Sequence, residues 1–259
     1  MQSSISHHGS MHPILIGLVS TLCFPVYVVV GLYTRARSMR LSPARGPRSG
    51  QHGEGEPATR LLTIGDSSAA AVGIDKTSGA MGPQLAGLLK VKTGEAVYWH
   101  ISGHNSAVSS EVRDYIVPNL PPEDFTHILI MLGTNDMKNW HTVRRFKRDF
   151  GGLLYALRAR FPEARIYWPQ AMDMVWVPAL PKVLAHILNW RRQLLNRKGA
   201  QLCVERGVIC IPPLEVENQS GFCRDGFHAS EIGYAAWAQH ILAHWDYEPR
   251  TTPAAQPFL

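Results

Sequence analysis

The 259-residue chain has only four cysteines, Cys23, Cys203, Cys210 and Cys223, and no two of them are spaced as a Cys-x-x-Cys pair. That excludes the common zinc and dithiol redox signatures, and a chain of this length does not need a disulfide framework. Charge is scarce as well. Asp, Glu, Lys and Arg make up 18% of residues against 45% hydrophobic, which excludes a chain disordered throughout. No internal repeat occurs at solenoid periods. Lysine is missing from the first 60 residues, where six arginines and two glutamates leave +4, so of the chain's +6 only +2 remains for residues 61–259. So slight an excess gives no phosphate-backbone footprint, and nucleic acid is not expected as a partner.

What is present begins with an apolar run, Pro13 to Tyr33, of 21 residues without a charge. It matches the ~20 residues that cross a bilayer as a helix, so residues 13–33 are expected to be one transmembrane helix after an N-terminal flank, 1–12. A cleaved signal peptide would carry a basic segment before the run and a small-residue site after it, and neither is there. Arginines follow the run instead, which places the rest of the chain on the cytoplasmic side, with a periplasmic domain as the alternative. Residues 34–59, basic and rich in Gly and Pro, read as a flexible tether. The catalytic domain is expected over 60–248, with a tail at 249–259.

Beyond the tether, short β-rich runs at 60–65, 96–102, 127–132, 164–169 and 207–212 alternate with helical patterns around 79–92, 106–117, 142–161, 181–206 and 230–245. Such alternation predicts a parallel sheet with helices on both faces and a ligand site at the carboxyl ends of the strands. Polar clusters stand where those ends fall. They are Gly65-Asp66-Ser67-Ser68, Ser102-Gly103-His104-Asn105, Gly133-Thr134-Asn135-Asp136 and Asp225-Gly226-Phe227-His228.

A hydroxyl becomes a nucleophile when a base takes its proton and a third group holds that base in the right tautomer. Ser67, His228 and Asp225 supply these types, and the Asp-x-x-His spacing allows carboxylate and imidazole to meet within one turn. The oxyanion formed on attack needs preorganised donors, for which the Ser67 and Gly103 backbone N–H groups and the Asn135 amide are available. Taken singly, Gly-Asp-Ser is as readily a strand-to-helix turn with a capping side chain. The order of all four blocks is what points to catalysis.

That order, Gly-Asp-Ser67, Gly103, Gly-x-Asn135-Asp and Asp225-x-x-His228, resembles the SGNH (GDSL-type) hydrolases over about residues 60–245. The resemblance implies a flavodoxin-like three-layer α/β/α sandwich around a parallel sheet. It also implies a serine hydrolase of esters or thioesters without metal or cofactor, with Ser67, Asp225 and His228 catalytic and Ser67, Gly103 and Asn135 forming the oxyanion hole. No Gly-x-Ser-x-Gly elbow is present, against an α/β-hydrolase. The apolar helix, the basic connector, residues 157–165 and Val-Pro-Ala-Leu-Pro at 177–181 are similar to the branch associated with long-chain N-acyltyrosine biosynthesis, whose members are thought to release fatty acids from acyl carriers or lipids.

For the substrate, residues 174–190 offer an acyl-chain wall in which Trp176 and Leu180 stand out, although much of the segment fits an ordinary helix core face. His104 and Trp140 are further candidate contacts. The expectation is a membrane-anchored esterase or thioesterase for medium- or long-chain acyl groups, held to the membrane by residues 13–33 and taking a lipid or an acyl carrier as partner. The alternatives are a carbohydrate O-acetyl esterase and a catalytically silent lipid-binding module.

Overall fold

The computed structural model describes residues 13–216 and 218–245. The expected flank 1–12 and the tail 249–259 lie outside the described residues. Six strands form one sheet in the order β1-β3-β2-β4-β5-β6: β1 Ser49–His52, β2 Thr59–Gly65, β3 Val97–Gly103, β4 His127–Met131, β5 Arg165–Pro169 and β6 Ile209–Ile211. All neighbours are parallel except β1, which runs antiparallel to β3. The five parallel strands follow the flavodoxin-like order 2-1-3-4-5, whose switch point lies between β2 and β4.

Strand alternation sorts the core into two layers. Leu62 and Ile64 of β2, Ile128 and Ile130 of β4, and Ile166 and Trp168 of β5 face α6 (Val143–Arg160) and α7 (Lys182–Glu205). Leu61, Leu129, Met131 and Tyr167 face α3 (Met81–Thr93) and α8 (Glu231–Ala243). Burial on both faces is why these strands read as continuous apolar runs. Helices cover the sheet on both sides, giving the α/β/α layering the alternation predicts.

Two parts of the amino-terminal region depart from expectation. The expected single helix over 13–33 is instead α1 (Pro13–Leu22) and α2 (Phe24–Arg37), bent by 61° at Cys23. Pro25 explains the break, because it brings no N–H to the carbonyl of Thr21 and its ring crowds that carbonyl. Among the described residues, no single helix is long and apolar enough to cross a membrane. The expected tether is also largely built into the domain. Pro43 bridges Val72, Arg45 bridges Lys76, and β1 pairs with β3 from Ser49↔His100 to His52↔Val97. Loop chemistry and edge-strand pairing coexist here because an edge strand needs backbone partners on one side only.

The predicted helix at 106–117 is irregular: α4 (Ser109–Glu111) runs into a π turn (Val112–Ile116) and a 3-10 turn (Val117–Asn119). Pro118 supplies no donor to continue a regular ladder. A short helix that the sequence pattern did not reveal, α5 (Thr134–Lys138), follows β4.

Candidate active site

The carboxyl ends of β2 and β4 carry the first two components. Gly65 closes β2 at φ +151°, and a Cβ there would fall 1.9 Å from the Met131 carbonyl oxygen, so the chain can turn this close to β4 only with glycine. The turn that follows is a tight helical one, with Ala70 N–H donating to Asp66 O at 2.9 Å and Val72 N–H to Ser67 O at 3.0 Å. Ser67 sits in it, 7% exposed. Two neighbours brace the turn. The Tyr234 hydroxyl of α8 lies 3.2 and 3.0 Å from the carbonyls of Ser68 and Val72. From the other side Gly103 packs so closely that a Cβ would stand 2.2 Å from Ala70 N and 2.8 Å from Asp66 O.

Asn135 lies in the first turn of α5, reached through Gly133 at φ +124°. Its amide donates to Ala107 O at 3.0 Å and to Asp66 Oδ2 at 3.2 Å. The first bond fixes the plane of the amide, and the second ties it to the buried Asp66 carboxyl. Asp136 is fully buried and accepts from the Ser109 N–H and hydroxyl and from His141 Nδ1, which ties α5 to α4.

The carboxylate and imidazole sit on a hairpin-like loop. Phe222 bridges Ala229, Cys223 N–H donates to His228 O at 2.8 Å, and Gly226 takes φ +67° at the tip. Asp225 Oδ2 lies 2.6 Å from His228 Nδ1, while Oδ1 accepts from the N–H groups of Phe227 and His228 at 2.8 and 2.9 Å and from Cys223 Sγ at 3.1 Å. Burial alone would raise this carboxyl. The donors, led by the His228 side chain, outweigh it and bring Asp225 down to about 2. Asp66 goes the other way. Burial pushes it up to about 6 against the pull of the Ser68 N–H and the Lys138 cation.

Ser67, Asn135 and His228 line one cavity of about 380 Å³, within the range of small-molecule sites. No hydrogen bond joins Ser67 Oγ to the His228 ring, and the Ser67 N–H makes none among the described residues. Catalytic contacts often tighten only when substrate arrives. The rest of the wall is mostly apolar: Met172, Met174 and Val177 after β5, Leu214, Val216 and Phe222 before the His loop, and Ile232 and Trp237 on α8.

The other substrate contacts expected from sequence lie elsewhere. His104 is exposed, Trp176 is 38% exposed, and Leu180 packs against the core. Trp140 packs at a tilt against Tyr27 and Phe24 of α2, at 4.4 and 5.0 Å between ring centroids, and carries the Arg191 guanidinium 4.0 Å from its ring. None of the four lines the cavity. Gly103 also stands outside the lining, behind the Ser67 turn. The residues before the His loop that do line it gave no signal because 213–222 has neither strand nor helix period. Among the described residues no cluster of three or more His, Cys, Asp or Glu side chains is placed to hold a metal ion.

A family model described as the GDSL-like lipase/acylhydrolase family matches residues 63–236. No curated protein matches the sequence. Among solved structures, the fold is similar to a psychrotrophic esterase, EstA, from Pseudoalteromonas sp. (13% identity, 72% of this chain and 96% of that one, TM-score 0.57). It is likewise similar to an extracellular lipase from Streptomyces rimosus (13%, 72% and 100%, TM-score 0.53). An acetyl-xylooligosaccharide esterase from Geobacillus Stearmophilus also shares it (13%, 74% and 96%, TM-score 0.54).

Proposed function

The chain belongs to the GDSL-like lipase/acylhydrolase family and is an ester-hydrolysing serine hydrolase, and from that premise we propose that it cleaves medium- or long-chain acyl esters or thioesters through an acyl-enzyme on Ser67. The observation that carries this reading is one cavity lined by Ser67, Asn135 and His228 together with a majority of apolar surface from methionine, leucine, valine and aromatic side chains. His228, held by Asp225 through Nδ1, takes the Ser67 proton through Nε2 as the hydroxyl attacks the acyl carbon. The Ser67 backbone N–H and the Asn135 amide receive the oxyanion, while Gly103, expected from sequence as a third donor, braces the Ser67 turn from behind. As the tetrahedral intermediate collapses, His228 returns the proton to the leaving alcohol or thiol. Water, deprotonated by the same imidazole, then attacks the acyl-enzyme and releases the fatty acid and Ser67.

An apolar wall stabilises each methylene that it removes from water by roughly 0.8 kcal/mol, so turnover should rise with chain length until the cavity is full. The amino-terminal apolar segment gives such substrates a surface to be met on, with a lipid or an acyl carrier as their source. A fluorophosphonate probe should label the full chain at Ser67 and leave Ser67→Ala unlabelled. A panel of esters and thioesters of graded chain length then reads kcat/KM, and an optimum at acetate would overturn the acyl-chain assignment.

A further inference from the structure

The bent pair α1–α2 carries an inference about how the enzyme meets its substrate. Its residues divide into two faces. Ile16, Ser20, Cys23, Tyr27, Val30 and Thr34, spaced by threes and fours, turn toward the domain. Ile16 and Ser20 are buried where α1 packs on α7, and the Tyr27 hydroxyl donates to the Lys138 carbonyl of α5. The Ser20 hydroxyl closes on Gly17 O within α1, and Tyr27 ties α2 to the domain.

The opposite face is unpartnered. Ile14, Leu18, Leu22, Val29 and Leu32 remain 60–80% exposed, a row of large aliphatic side chains that a soluble surface seldom presents together. At 1.5 Å per residue, arms of 10 and 14 residues reach only ~15 and ~21 Å, short of a ~30 Å hydrocarbon core, and the 61° bend prevents them from adding end to end. Arg35, Arg37 and Arg40 follow the apolar row, all exposed and none ion-paired among the described residues. Arg37 lies 4.4 Å from the Tyr33 ring, an aromatic and basic pairing suited to the headgroup layer.

We propose that α1 and α2 lie in the plane of an anionic membrane surface, docked to the hydrolase domain on one face and sunk into lipid on the other, so that the domain takes acyl substrates from the leaflet it rests on. This revises the expectation of a membrane-spanning helix, and it rests on the acyl-ester reading for its purpose. The path to the cavity is short. Tyr27 holds Lys138, the Lys138 ammonium lies 4.6 Å from the Phe227 ring, and Phe227 lines the cavity beside His228.

The test adds the full chain to preformed vesicles of phosphatidylcholine, with and without an equal share of phosphatidylglycerol, and reads flotation. Binding should be stronger on the anionic vesicles by on the order of a hundredfold for three arginines, and should weaken with salt. Leu18→Glu with Val29→Glu should lower it by about tenfold or more, since each places a charge in the apolar layer. A bulky, impermeant maleimide added outside, with its site read by peptide mapping because Cys23, Cys210 and Cys223 are also free, should modify position 4 of a Ser4→Cys chain on intact vesicles. Protection of that thiol until detergent is added means the segment crosses the bilayer and overturns the proposal. Flotation with neither vesicle, or lipid-insensitive self-association through the arms, overturns it as well. Ser67-dependent hydrolysis of soluble esters is read on the same samples. If it persists without vesicle binding, only the docking fails; if no ester is turned over, the functional reading fails.

Discussion

At the scale of residues, the site is held by opposed carboxylate environments. Asp225 collects four donors and is held at about 2, so near neutral pH it is ionised and orients His228. Asn135, the side-chain donor proposed for the oxyanion, has its amide held by Ala107 O at 3.0 Å and by Asp66 at 3.2 Å. Asn135→Ala should therefore lower kcat by roughly 10²–10³-fold, the usual cost of one oxyanion donor. Steady-state kinetics on a chromogenic ester, corrected for folded protein, checks this, and near-wild-type kcat removes the role. Asp66 yields a stability prediction. Its folded value of about 6 lies above the unfolded value near 3.9, so the native state keeps a proton that the unfolded chain has lost. Its contribution to stability is therefore fully present below pH ~4 and is lost as pH rises to ~6, by about 3 kcal/mol in total. Asp66→Asn cannot titrate. Relative to that variant, the wild type should lose stability across this window in urea unfolding, and parallel pH profiles would show that Asp66 is not perturbed.

At the scale of elements, the sequence pattern was legible where burial imposes a period. Strands β2 to β6 and the helices α3, α6, α7 and α8 fall within a few residues of their apolar runs, and three of the four polar blocks fall at strand ends, whereas Asp225–His228 sits on a loop of its own between β6 and α8. Edge strand β1 was not legible, because Ser49-Gly50-Gln51-His52 buries no side-chain row and is held by backbone pairing and by Gly50 lying against the Trp99 ring. The α1–α2 break was written in Pro25 but was masked by an uninterrupted run of hydrophobicity. Trp176 and Leu180 looked like substrate contacts because they are apolar and follow β5. Their neighbours Met174 and Val177 line the cavity instead, since in a 3-10 turn (Met174–Trp176) residues three apart share a face and the two between them point elsewhere. Gly103 shows how an element positions chemistry without touching it. Gly103→Ala places a Cβ 2.2 Å from Ala70 N, and the atoms it meets are backbone of the Ser67 turn, with no flexible side chain to yield. The Ser67 turn must move, so kcat should fall at least about tenfold together with about 1–3 kcal/mol of stability. Kinetics and chemical unfolding on one preparation test both, and a variant with unchanged kcat would show that the turn is not braced from β3.

At the scale of the whole molecule, the question is where the catalytic domain begins. Composition places the boundary near Arg60, because Gly, Pro and Arg dominate what precedes it, whereas the backbone places it earlier. Arg45 exchanges hydrogen bonds with Asp75 and Thr77, Ala44 N–H donates to Ala71 O, and Ile101 N–H donates to Arg48 O, so residues 43–52 form a strap from the loop after Ser67 to the outer edge of β3. Removing residues 1–59 would uncover Trp99, leave the β3 edge unpaired and free the 71–77 loop, whose first residues close the nucleophile turn. An open, largely apolar edge is also a template for association between chains. Removing only residues 1–38 takes away α1 and α2 and leaves the strap in place. The chain starting at Met39 should therefore remain soluble, unfold cooperatively and retain Ser67-dependent turnover of water-soluble esters, while the chain starting at Arg60 should lose stability and self-associate. Size-exclusion chromatography, urea unfolding and fluorophosphonate labelling of the two chains side by side separate the outcomes. Equal stability and equal labelling would make the strap a passive connector, and loss of labelling in the chain starting at Met39 would mean that α2, through Tyr27 and Trp140, supports the catalytic rim itself.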